Sequence, residues 1–287
     1  MNKLIFMMCC TVSVAMAQEL PRDVPVPGGI AVIPLGEDPA SAPQVWYGDN
    51  RVLVVSTDGL WHAIVGIPLS AEPGDQAVAV RYADATENRY TFRVEPKEYA
   101  AQHITLSNKR QVNPSARDLR RIERENKRMR AVFAHYDARA VDQAIFEQPA
   151  DGEISGTFGL RRFFNGEPRQ PHSGVDFAAP VGTPVRAPAD ATVVLTGNFF
   201  FNGLSIFLDH GQGVISMMNH LSRIDVRDGQ AVTRGEVIGA VGATGRATGP
   251  HLHWTLSLNN ARVDPLLFLP PMPEPATPDT TPMQMGE

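Results

Sequence analysis

The sequence predicts a mostly β protein: a small amino-terminal β-sandwich-like domain, a linker helix and a carboxy-terminal β domain. Three observations predict it. Short apolar and β-branched runs recur about every ten residues, separated by Gly, Pro, Asp and Asn. The 287 residues include 24 prolines and 24 glycines against only 7% aromatics, a turn-rich composition. Between the two β-like regions, one stretch has apolar residues spaced by three and four, as on one helix face.

Length and composition bound the rest. At roughly 100–200 residues per domain, the chain makes one large domain or two modest ones. Hydrophobic residues at 43% and charged residues at 20% exclude a wholly disordered chain, a collagen-like chain and a polytopic membrane protein. A formal net charge of −5 speaks against a broad cationic surface for duplex nucleic acid, so no nucleic-acid partner is expected.

Residues 1–17 have the pattern of a secretory signal peptide. Lys3 supplies the positive start, Leu4 to Val14 the apolar run, and Ala15-Met16-Ala17 the small residues before cleavage at Gln18. The run is too short to stay as a membrane span. Cys9 and Cys10 fall inside it rather than behind a small-residue box, which argues against a lipid anchor. Cleavage leaves no stable membrane anchor and no cysteine, so a mature metal site must use His, Asp or Glu.

Residues 18–112 read as the amino-terminal β domain. Its strand candidates are Ile30–Ile33, Arg51–Ser56, Trp61–Val65, Gln76–Arg81, Arg89–Val94 and His103–Leu106. No cluster of chemical groups lies among them, and His62 and His103 read as surface or strand residues. Residues 113–149 read as a helical linker, with Asn113 as N-cap and Pro114 in the first turn. Leu119, Ile122, Asn126, Met129, Phe133 and Tyr136 mark one helix face. Residues 150–269 read as the second β domain, and 270–287, rich in proline and threonine, as a flexible tail.

Five of the eight histidines fall in the second β domain: His172, His210, His220, His251 and His253. In His172-Ser-Gly-Val-Asp176, Gly174 disfavours a helix, and an extended segment places residues four apart on one face. That supplies an imidazole nitrogen and a carboxylate oxygen, a suitable zinc pair. In His251-Leu252-His253 a strand points both imidazoles to one side and Leu252 to the other. One can ligate a metal while its neighbour addresses substrate or water. Taken together, His172, Asp176 and His253 offer three ligands with a fourth place open, as a catalytic zinc site needs. His220 and His251 would then move protons and stabilise charge. His210, between Asp209 and Gly211, reads as a structural turn residue.

At these residues the sequence resembles the lysostaphin/LytM-type zinc metalloendopeptidases, from about Gly156-Thr-Phe-Gly159 to Asp264-Pro-Leu266. The landmarks are His172-Ser-Gly-Val-Asp176, Ala179-Pro-Val-Gly-Thr-Pro-Val185 and Thr244-Gly-Arg-Ala-Thr-Gly-Pro-His-Leu-His253. The resemblance implies a mostly antiparallel β peptidase domain with a groove over its sheet. It implies one zinc ion per chain held by His172, Asp176 and His253, with His220 and His251 as catalytic histidines. It implies hydrolysis of peptide stems and cross-links of bacterial peptidoglycan by zinc-activated water. The strand-rich first region also resembles the small domain that precedes such peptidases in Gram-negative periplasmic members, which implies a periplasmic location. Met218 and Thr255 depart from the family's usual aromatic and acidic residues, and so bear on substrate fit and rate. The alternative is a non-catalytic relative that activates cell-wall amidases; the filled ligand and histidine positions weigh against it. No protein regulator is identifiable, and the segment before about Pro149 is expected to cover the groove, the competing reading being a rigid spacer or a docking site that helps hold substrate.

Overall fold

Runs such as Leu53-Val54-Val55 and Ala63-Ile64-Val65 have no polar face, so a strand built from them needs cover on both sides. The computed structural model describes residues 19–36, 41–106, 108–141 and 143–270, and it supplies that cover. The expected signal peptide, residues 1–17, and all but the first residue of the expected tail, 270–287, lie outside the described residues. The first region holds β1 (Ile30–Gly36), β2 (Gln44–Tyr47), β3 (Asn50–Arg51), β4 (Leu53–Thr57), β5 (Leu60–Gly66), β6 (Gly74–Arg81) and β7 (Glu87–Val94). They form two antiparallel sheets, ordered β1-β5-β4 and β3-β2-β6-β7.

The two sheets bury Ile33, Val54, Ala63 and Val65 with Val45, Val78 and Val80 in a sandwich core. The other face of the first sheet carries Ile30, Leu53, Val55 and Ile64, which join the core of the second region. Period-two alternation assigns neighbouring residues to two different cores. Four hydrogen bonds lock this junction. Asn259 exchanges two with the Gly66 backbone, at 2.7 and 2.8 Å, and Gln212 exchanges two with Val54, at 3.0 and 3.1 Å.

Next come β8 (Ala101–Ile104), α1 (Lys109–Val112) and α2 (Ala116–Phe133). The long helix starts two residues later than the Asn113-Pro114 pair predicts. Ser115 is the N-cap: its Oγ accepts from Asp118 N, and the Asp118 carboxylate accepts from Ser115 N. Arg110 then grips Asp118 with two hydrogen bonds. Of the predicted apolar face, Ile122 and Phe133 are buried, while Leu119 is 55% exposed. The helix is held along its length: Arg121 donates to Asn198 O, Glu125 accepts from Phe200 N, and Phe133 packs edge-on to Phe207 at 5.7 Å.

The second region contains β9 (Glu153–Gly156), β10 (Arg161–Phe164), β11 (Glu167–Pro168), β12 (Val175–Ala178), β13 (Pro184–Arg186) and β14 (Ala191–Phe199). It continues with β15 (Gly203–Asp209), β16 (Ile215–Ile224), β17 (Ala231–Val232), β18 (Val237–Val241), β19 (His251–Leu258) and β20 (Ala261–Val263), then a short 3-10 turn. The main antiparallel path runs β17-β14-β15-β16-β19-β12-β9. Asn259 and Asn260, at φ 40° and 63°, make the two-residue turn from β19 to β20. The strand β8 pairs in parallel with β10, not with the sheets that precede it. The sandwich meets β19 near Leu258, seven residues or about 23 Å along the strand from His251. Within the first region, Gln102, Ile104 and Leu106 reach the groove described next.

Candidate active site

Three adjacent strands, β12, β19 and β16, assemble the site. The β12–β19 register sets Asp176 opposite His253, and the β16–β19 register sets Asn219 opposite His253. Alternation along β19 buries Leu252 completely and turns His251 and His253 into the groove. His172 lies just before β12, fixed by its backbone N–H to Leu160 O at 2.9 Å. Its Nε2 is 3.0 Å from Asp176 Oδ1 and 2.9 Å from His253 Nδ1. His253 Nδ1 is 2.7 Å from the same carboxylate oxygen. Gly156 makes room for the carboxylate: a Cβ there would come within 2.5 Å of Asp176 Oδ2.

His220 enters by a different device. It sits at φ 64°, a left-handed conformation that costs a non-glycine residue free energy. The β15–β16 register shifts beside it, and its N–H leaves the ladder for Asn202 O at 2.8 Å. The imidazole consequently stands 4.8 Å from the His251 ring and 6.0 Å from that of His253. His220 Nδ1–H donates to Thr244 O and His251 Nδ1–H to Gly249 O, both at 2.8 Å. Each carbonyl fixes a tautomer, leaving both Nε2 atoms as acceptors. His251 Nε2 is 3.9 Å from Asp176 Oδ1.

The electrostatics are those of buried groups. Burial raises the Asp176 pKa, but the His172 and His253 imidazoles packed against Oδ1 outweigh it and hold the carboxyl well below the usual range. Burial pushes His253 down to about 4 against the pull of Asp176. Burial also brings His220 to about 3, with His253 and His251 adding to the shift.

The donor set fits a zinc ion. His172 Nδ1–H donates to Thr157 O at 2.6 Å, so its Nε2 is a lone pair. Asp176 Oδ1 is an acceptor too. The three converging atoms can therefore share only one proton, on His253 Nδ1, where a cation satisfies all three. Their separations of 2.7, 2.9 and 3.0 Å approach the roughly 3.3 Å edge of a tetrahedron with zinc bonds of about 2.0–2.1 Å. Thr255 Oγ1, 2.9 Å from His253 Nε2, can accept from that ring once Nδ1 turns to a metal.

The five predicted site residues are thus brought together, and His210 is elsewhere. It is buried, with Nδ1 on Asp190 O and Nε2 on Ser216 Oγ. Met218 is fully buried in the core and is not among the groove's lining residues; Met217 lines the groove instead. Sequence reasoning missed Arg162, which donates to Asp176 Oδ2 at 3.2 Å from the separate strand β10. No spacing signal links residues on non-adjacent segments. The groove over the cluster encloses about 300 Å³.

The chain matches peptidase family M23 over residues 170–265 and the peptidase family M23 N-terminal domain over residues 23–97. A Pseudomonas aeruginosa protein described as a peptidase M23 has a crystal structure similar at TM-score 0.73 and 46% identity, over 86% of this chain and 96% of that one. Peptidoglycan DD-endopeptidase ShyA of Vibrio cholerae is 40% identical over 136 residues, 46% of this chain and 32% of its own length. DD-carboxypeptidase/endopeptidase Mpg of Neisseria meningitidis is 42% identical over 121 residues, 42% of this chain and 28% of its own. The matches to these curated relatives thus span about a third of their length. The paired matches and the similarity over nearly the whole Pseudomonas chain lead to one assignment: the protein belongs to peptidase family M23.

Proposed function

We propose that the protein is an exported zinc metalloendopeptidase that hydrolyses peptide cross-links of bacterial peptidoglycan, with residues 150–269 as the peptidase domain. The observation that carries this is the convergence of His172 Nε2, Asp176 Oδ1 and His253 Nδ1 around a place for one cation, beside two further imidazoles. Relatives named as peptidoglycan DD-endopeptidases support the substrate class. The leader pattern in residues 1–17 supports export, and the Gram-negative relatives support the periplasm.

Zinc bound there supplies a Lewis acid that acidifies water and polarises the scissile carbonyl. The chain's own residues handle orientation and protons. The carbonyls of Thr244 and Gly249 hold His220 and His251 so that each Nε2 addresses the groove. One of these imidazoles takes a proton from the attacking water as its oxygen bonds to the carbonyl carbon. As the carbon–nitrogen bond breaks, a proton passes from imidazole to the leaving amine. The other imidazole, carrying on Nε2 a proton taken up from solvent, hydrogen-bonds the developing oxyanion. Arg162 holds Asp176 Oδ2 so that Oδ1 remains turned to the two ligand histidines.

The test is digestion of purified sacculi, followed by mass spectrometry of the released muropeptides. Cross-linked dimers should fall to monomers, chelator should stop the reaction, and added zinc should restore it. Intact cross-links after incubation with protein carrying one zinc per chain would refute catalysis and leave a binding or regulatory module.

A further inference from the structure

The groove inverts the charge of the chain that carries it. The net charge is −5, yet among the described residues lining the groove the acidic side chain is Asp176 alone. Both its oxygens are engaged, by the histidines and by Arg162. Arg162 and Arg246 line both parts of the groove that flank the histidine cluster.

Arg246 is the unusual one. Its guanidinium lies over Phe164 at 4.5 Å and over Phe201 at 4.2 Å. No described residue offers its guanidinium a hydrogen bond or a carboxylate. Burial lowers its pKa to about 10, with Arg162 and Arg169 adding repulsion, so it stays charged at neutral pH. Ring faces attract a cation but leave its N–H groups unsatisfied at the edge. A half-buried guanidinium with cationic neighbours and no anion among the described residues is open to one. Its planar fork matches a carboxylate in a two-point contact.

The position is also built rather than accidental. Arg246 N–H donates to Phe201 O at 2.7 Å, and Gln111 Nε2 donates to Gly245 O at 2.6 Å. Gly245 has φ 74°, and a Cβ there would come within 2.3 Å of Gly203 N. The two loops touch backbone to backbone, which sets the guanidinium between its rings before any ligand arrives.

We propose that Arg246 is a specificity-determining residue that binds a carboxylate of the substrate peptide close to the scissile bond. This rests on the peptidase reading above. The carboxylate is either chain-terminal or on a side chain, and the experiment separates the two.

Three cross-linked stem peptides are needed: one with all carboxylates free, one amidated at its chain termini, and one amidated on its side chains. Turnover gives KM and kcat for the full chain, Arg246→Gln and Arg246→Lys. Calorimetry on chelator-treated protein gives Kd without turnover. Wild type should bind one amidated peptide roughly 10- to 100-fold more weakly than the free form. The identity of that peptide names the source of the carboxylate. Arg246→Gln should lose a similar factor in Kd and KM on the free peptide, with kcat changed little, and should no longer distinguish free from amidated. Arg246→Lys should recover part of the loss, because it restores charge without the fork. Wild type that cleaves all three peptides equally, or Arg246→Gln that keeps the preference, would overturn the proposal and leave the peptidase reading intact. Wild type that neither binds nor cleaves any of them would overturn both.

Discussion

Replacing Thr255 with Val tests the proposed metal site without touching a ligand. Thr255 is fully buried on β19, and Val has nearly its shape and the same preference for a strand. The change therefore removes one hydroxyl and leaves no large cavity. That hydroxyl lies 2.9 Å from His253 Nε2 and can serve either tautomer of the ring. Without metal, the ring keeps its proton on Nδ1 toward Asp176, and the hydroxyl donates to Nε2. With metal, the proton moves to Nε2 and the hydroxyl accepts it. Valine leaves that buried Nε2–H without a partner, at a cost of about 1–3 kcal/mol. The metal-free state loses a donor to a neutral ring nitrogen, the smaller penalty. Zinc affinity should consequently fall roughly 10- to 100-fold, or about 1.4–2.7 kcal/mol. Competition with a chromogenic chelator at pH 7.5 reads this directly (about one unit above an ordinary histidine pKa). Thr255→Ser keeps the hydroxyl and should retain most of the affinity. Unchanged zinc affinity in Thr255→Val, or an equal loss in Thr255→Ser, would refute the reasoning.

His220→Ala and His251→Ala each retain all three proposed ligands, so metal analysis should find zinc in both. Turnover on sacculi should drop on the order of 100-fold or more, and near-normal cleavage would exclude that histidine from the chemistry. Burial pushes His210 down to about 4, so between the unfolded value of roughly 6.5 and 4 the unfolded chain binds more protons at this site. Its contribution is present above that window and is lost as pH falls through it, by about 3 kcal/mol in full. Urea titrations at pH 7 and pH 5 should show a shallower decline for His210→Gln than for wild type, and parallel declines would count against the assignment. Asn259→Ala removes both side-chain hydrogen bonds to Gly66 at the junction of the two regions. It should lower unfolding free energy by about 1–3 kcal/mol; a change within error in denaturant titration would mean the junction depends on apolar contact alone.

The sequence determined much of this molecule because its main signals are local. Period two along His251-Leu252-His253 sets both imidazoles on the groove side and Leu252 in the core, since neighbouring side chains on a strand point to opposite faces. The interval from His172 to Asp176 left enough chain for both side chains to meet. Most strands of the first region were legible by period, though the short β2 (Gln44–Tyr47) was not among them, and the unbroken apolar runs of β4 and β5 required burial on two faces. The helix start was misplaced because a good N-cap at Asn113 competes with a better one at Ser115, where Asp118 answers three residues later.

Tertiary structure alone decided what depends on non-adjacent segments. His220 reaches its neighbours only because β16 breaks its ladder there and takes a left-handed φ of 64°, which no residue pattern announced. The pairing of β8 with β10 brings Gln102 and Ile104 to the groove, and it arises from edge hydrogen bonds rather than from side-chain spacing. Arg162 finds Asp176, and Arg246 finds two ring faces, across loops whose closure the linear sequence does not encode locally. The sequence set each side chain's chemistry and the face of its own strand. Packing of distant backbones set which charges are paired, and which one in the groove is not.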